Sequence, residues 1–115
     1  MQCFIRNQAN PGWEFFDNPL SVLIATRPDE VKSVLDQAEA ATKKGLQCVG
    51  YVAYEAATAL DASLAVHPSN LPLAAFGVFK SSQPLTTLPT GPSGAAWLRP
   101  ITSCKQYTDK VSQVK

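Results

Sequence analysis

The chain has 115 residues, of which 45% are hydrophobic and 17% charged, and its net charge is +1 at pH 7. That length suits one domain able to bury about two-thirds of its unfolded surface. The charge content, below the usual level of about 25%, leaves part of the surface to face another domain or chain. Phosphate binding needs a clustered basic footprint; the longest cationic run here is Lys43-Lys44, so a nucleic-acid partner is not expected.

Cys3, Cys48 and Cys104 are odd in number and show no CxxC or metal-type spacing. Neither a disulfide framework nor a zinc site is expected, and a reducing compartment is the default. The start, "MQCFIRNQANPGWEFF", lacks the charged opening and continuous apolar core of a signal peptide. No apolar run approaches the roughly 20 residues of a membrane span. A cytoplasmic protein with no membrane partner follows as the expectation.

In chain order, "GWEFFDNP" reads as a short strand ended by the turn signal Asn18-Pro19. "LSVLIA", Leu20 to Ala25, reads as a strand buried on more than one side. "RPDEVKSVLDQAEAATKKG" reads as the clearest helix. Pro28 suits its first position, Asp29, Glu30, Lys43 and Lys44 complement its dipole, and Gly45 suits the position just past its end. Val31, Val34, Leu35, Ala38 and Ala41 form one apolar stripe, the face expected to pack on a sheet.

"LQCVGYVAYEA" follows as a strand apolar on both faces and hence expected at the centre of its sheet. Gly50 inside it signals a close backbone approach or a bulge. A short helical turn through "AATALDASL" and a strand through Leu71 to Phe79 come next. The order β-β-α-β-β implies an α+β or α/β layer with one main packed helix.

Composition shifts after Lys80. "SSQPLTTLPTGPSGAA", residues 81–96, carries no apolar period and reads as a linker able to reach about 50 Å when extended. "WLRPITSCKQYTDKVSQVK" then opens a second unit, with Ser103 as N-cap, Gln106 as its capping-box partner and Tyr107, Val111 and Val114 on one face. Neither Gly nor Pro closes this helix before Lys115. Two readings stand side by side: a frayed terminal helix, or a piece of a longer protein with an N-terminal domain over 1–80, a linker over 81–96 and the opening of a further domain over 97–115. Its unpartnered apolar stripe also predicts self-association.

Glu55 is the sharpest candidate for chemistry. General acid–base work needs a positioned partner, and the only carboxylate close in sequence is Asp61. The structural alternative is a strand-end carboxylate accepting backbone N–H groups or pairing with a cation. That alternative is favoured. His67 has no identifiable Ser, Cys or Asp partner and reads as a surface residue. Cys48 reads as a small core hydrophobe, and Tyr51 and Tyr54 read as core aromatics of a strand before ligand-stacking ones. Neither GxGxxG nor GxxxxGK[ST] occurs.

Three blocks, "FFDNPLSVLIATRPDEVKSVLDQAEAATKKGLQCVGYVAYEAATALD", "LPLAAFGVF" and "WLRPITSCKQYTDKVSQVK", together resemble the N-terminal region of aminodeoxychorismate synthase component I, the para-aminobenzoate synthase large subunit. More distantly they are similar to anthranilate synthase component I. The likeness runs from about Trp13 to the end of the chain. Its most specific parts are Asn18-Pro19 and Gly50 through Glu55. Trp97, Ile101 and Tyr107 match the entry to the family's chorismate-binding domain. The fold implied is the N-terminal part of an anthranilate synthase component I-like α/β sandwich.

The resemblance implies a parent enzyme that transfers ammonia, released from glutamine by a separate amidotransferase subunit, onto chorismate. The product is 4-amino-4-deoxychorismate, on the route to folate, and Mg2+ holds the chorismate carboxylates. None of the family's metal-binding glutamates or chorismate-handling residues has a counterpart here, so no catalytic or metal residue is carried over. Pro19, Gly50, Tyr54 and Glu55 are the structural or interface candidates. The Leu-Leu-Glu-Ser type motif of tryptophan-inhibited anthranilate synthases is absent, which favours the aminodeoxychorismate branch. The alternatives are an anthranilate synthase component I and a stand-alone regulatory or partner-docking domain.

Overall fold

The computed structural model describes residues 1–7, 12–91, 94 and 99–114. Six strands and three helices occur among them: β1 Cys3–Asn7, β2 Gly12–Phe16, β3 Ser21–Ala25, α1 Pro28–Lys43, β4 Gln47–Val52, α2 Ala57–Leu60, β5 Ala74–Phe79, β6 Gln83–Leu85 and α3 Cys104–Val114. A single 3-10 turn, Tyr54–Ala56, leads into α2. The fold is α+β, with two three-stranded antiparallel sheets ordered β1-β2-β6 and β3-β5-β4.

Helix α1 forms where its end signals place it. The Glu30 carboxylate accepts from the Thr26 N–H at 2.9 Å, the Arg27 N–H at 3.1 Å and the Thr26 hydroxyl at 3.2 Å. It also pairs with the Arg27 guanidinium at 2.9 Å. One side chain thus serves donors that the first turn leaves without helical partners. At the other end Gly45 sits at φ +81° and its N–H donates to the Thr42 carbonyl, a helix stop in the left-handed region. Val31, Val34 and Ala38 are buried and Leu35 and Ala41 partly so, which is the stripe read from the sequence.

That stripe packs on one face of the sheet β3-β5-β4. Val31 and Val34 meet Ala25, Leu73 and Ala74, with Leu23, Leu35 and Phe76 closing the cluster. Val31 and Phe79 are the largest side chains withdrawn completely from water. Complete burial of such a side chain stabilises by about 1.5–3 kcal/mol. Phe79 points to the other face, where its ring meets Phe16 of β2 at 5.3 Å and ties the two sheets together.

Two expectations about this sheet are corrected. Its centre is β5, not β4, because β5 pairs on both sides with β3 and β4. The β3 segment is an edge and is not buried on more than one side: Val22 is exposed and Ile24 is 52% exposed. A continuous apolar run records that a strand is apolar, not how many partners it has.

The sequence reading also passed over β1 and β6. β1 pairs with β2 through Phe4↔Phe15 and Arg6↔Trp13, reinforced by stacked Phe rings at 4.7 Å and by the Arg6 guanidinium over the Trp13 ring at 5.4 Å. β6 pairs Leu85 with Trp13 and lies within the segment read as a linker. Pro92, Ser93, Ala95 and Ala96 of that segment, and Trp97 beyond it, lie outside the described residues.

The second helix unit forms as its cap predicts. The Ser103 N–H donates to the Gln106 side-chain oxygen at 2.9 Å, and the Gln106 N–H donates to the Ser103 hydroxyl at 3.2 Å. Every described residue of α3 is exposed, with Tyr107 at 66% and Val114 at 89%. The radius of gyration, 18.7 Å, exceeds the about 13 Å of a compact domain of this length, as a helix standing off the sheets requires.

Gly50 carries the close approach expected of it. A Cβ there would overlap the Ala75 carbonyl oxygen and lie 2.6 Å from the Phe76 Cα, both backbone atoms that cannot swing away. A Cβ on Gly45 meets nothing within 4 Å, so only its dihedral opposes substitution. Gly50→Ala is therefore expected to cost about 3 kcal/mol and Gly45→Ala about 1 kcal/mol, measured by urea unfolding. Equal costs would contradict the packing of β4 on β5.

The bonds to Glu30, the Thr26 N–H foremost, hold its carboxyl pKa below the ordinary value of 4.5. A depressed folded pKa means stability present above the unfolded value and lost as pH falls through the folded one. Glu30→Gln should lower the melting temperature at pH 7 and narrow its gap to wild type at pH values below 4.5. A gap that widens on acidification would contradict the cap.

Candidate functional site

After β4 the chain turns away from the sheet at Ala53, and backbone bonds fix where it goes. The Ala53 N–H donates to the Leu73 carbonyl, and the Leu73 N–H donates to the Ala25 carbonyl, both at 2.8 Å. These two bonds bring the end of β3, the 3-10 turn and the approach to β5 together. Between them lies a groove of about 250 Å³ whose lining includes Thr26, Pro28, Glu55, Thr58, Val66 and His67. Apolar walls and a few converging polar groups are the usual make-up of a recognition site.

Glu55 is partly buried in this groove. Its expected partners are absent among the described residues: the carboxylate accepts no backbone N–H and makes no ion pair. The reason is local. The donor where the chain turns, the Ala56 N–H, is taken by the Ala53 carbonyl at 3.0 Å. The 3-10 turn satisfies its own backbone and leaves the side chain over.

The other acids near this end are engaged. Asp29 bonds the Arg27 guanidinium, which holds its carboxyl below the usual range. Asp61 accepts from the Ser63 hydroxyl at 2.7 Å and the Ser63 N–H at 2.9 Å, with the same effect on its pKa.

The remaining candidates scatter. Pro19 follows Asn18, which takes φ +52° with its N–H on the Asp17 carboxylate, so this pair turns the chain between the two sheets. Gly50 serves the β4–β5 contact. Tyr54 is 83% exposed at the start of the 3-10 turn, not packed in a strand. None of these three lines the groove. Cys48 donates its thiol to the Ala38 carbonyl at 3.4 Å, and burial pushes its pKa up, which suits a packing residue.

His67 is exposed in a loop, as the sequence reading expected, and what that reading did not foresee is that it shares a groove with Glu55. Twelve positions separate it from Glu55, and no periodicity connects them. Only the Ala53–Leu73 bond, a feature of the folded loop, brings both to one groove. No hydrogen bond joins Glu55 to His67, and the Thr26 hydroxyl is already committed to Glu30. A nucleophile–base pair is thus not assembled here among the described residues, and what the groove presents is a carboxylate beside apolar walls. No group of three or more His, Cys, Asp or Glu residues able to hold a metal occurs among the described residues.

Comparison with protein-family models, with curated proteins and with solved structures returned no match. No helix among the described residues is long and apolar enough to cross a membrane.

Because Glu55 holds no backbone donor, Glu55→Ala should change unfolding free energy by no more than about 0.5 kcal/mol. Chemical denaturation of the two proteins checks this. A loss of about 2 kcal/mol would mean the side chain satisfies a buried donor after all.

Proposed function

We propose that residues 1–115 form the non-catalytic N-terminal region of an aminodeoxychorismate synthase component I. The complete enzyme would aminate chorismate to 4-amino-4-deoxychorismate in the cytoplasm, with Mg2+ and a glutamine amidotransferase subunit as its helpers. The observation that carries this reading is the order and spacing of the three sequence blocks. The first spans the end of β2, β3, α1, β4, the 3-10 turn and α2; the second contains β5; the third contains α3.

Two surfaces support a role as part of a larger body. Val22, Ile24 and Tyr51, a row on the face of the β3-β5-β4 sheet opposite α1, are exposed, as is the α3 stripe of Tyr107, Val111 and Val114. Apolar groups grouped in this way mark surfaces that meet other polypeptide. In the anthranilate synthase component I-like sandwich that the resemblance implies, further strands and helices would cover them.

The test is the activity of the protein encoded by the reading frame carried past Lys115. With chorismate, ammonium and Mg2+ it should release 4-amino-4-deoxychorismate, resolved by chromatography, while residues 1–115 alone release none. Anthranilate as product would move the chain to the sister branch. A reading frame that ends at Lys115 would leave a stand-alone docking module in place of an enzyme region.

A further inference from the structure

The groove around Glu55 has the composition of a socket for one cationic side chain. Glu55 is partly buried, and among the described residues its carboxylate has neither a hydrogen bond nor an ion pair. Asp29, Glu30 and Asp61 around the same end of the fold are each compensated. Glu55 is therefore the acid here whose charge is left for an outside partner. A donor that reaches this free carboxylate gains a charge-assisted bond.

The rest of the lining narrows the chemistry. Pro28, Val66 and Leu73 give apolar walls that suit the methylene stem of a long side chain. Thr58 also lines the groove, and its hydroxyl has acceptor capacity. A guanidinium carries five donors in a planar fork and is more weakly hydrated than an ammonium, so it matches a groove lined by a carboxylate and a hydroxyl better than lysine does.

We propose that this groove binds an arginine side chain presented by another polypeptide segment, with Glu55 as the ion-pair partner and Thr58 as a second acceptor. The proposal goes beyond the enzyme reading and stands whether or not the parent uses chorismate.

The experiment is a titration of the isotope-labelled 115-residue chain, followed by NMR, with Ac-Leu-Arg-Leu-NH2, its Gln counterpart Ac-Leu-Gln-Leu-NH2, and free methylguanidinium. The expected result is saturable shifts of the Thr58, Val66 and His67 amides with the arginine peptide. Binding should be about tenfold weaker with the glutamine peptide, and Glu55→Gln should lower the arginine peptide to that same level. Absence of saturation, equal binding of the two peptides, or undiminished binding to Glu55→Gln would overturn the proposal. Methylguanidinium binding as tightly as the peptide would overturn the polypeptide part of it. The comparison of the two peptides needs no variant, so it stands even where the Glu55→Gln protein is poorly folded.

Discussion

Strand β5 has to be buried on both of its faces, and that requirement arranges the rest of the chain. Ala74, Ala75, Gly77, Val78 and Phe79 are all buried, with Phe76 partly so. A strand in that state needs a neighbour on each edge and a cover on each face. β3 and β4 supply the edges, α1 covers the face of Ala74 and Phe76, and Phe16 of β2 covers Phe79 from the other side. The small residues are part of the same solution. Gly50 lets β4 approach where any side chain would strike the β5 backbone.

Much of this was legible because it is written locally. The cap at Glu30, the stop at Gly45 and the stripe of Val31, Val34 and Ala38 depend on neighbours three or four residues away, the range over which helix signals act. Gly50 was legible in part for a different reason, since a glycine inside a strand marks either a close approach or a bulge, and the pairing with β5 decides for the first. What was not legible depended on distant partners. β4 and β5 are both short apolar runs, and only pairing decides which lies between the others. β1 carries Arg6 and β6 carries Pro84, residues that dilute a strand signal, yet Trp13 and Phe15 of β2 recruit both.

The candidate site shows the same division. The sequence singled out Glu55 by its position at the end of an apolar run, and the fold does place it at a groove. Its environment was misread because the 3-10 turn closes on its own backbone, which no residue pattern announced. The groove exists only because Leu73 bonds both Ala53 and Ala25, joining segments almost fifty residues apart along the chain. A carboxylate set free by that closure is available for recognition.

The central claim is that this is part of a larger protein in which α3 and the outer sheet face are covered. Backbone hydrogen exchange, compared between residues 1–115 and the protein encoded by the extended reading frame, tests it most directly. Every described residue of α3 is exposed in the 115-residue chain, so its amides should exchange orders of magnitude faster than those of β5. The account predicts that in the longer protein α3 approaches the protection of β5, with added protection at β3 and β4. Equally fast exchange of α3 in both proteins would contradict it.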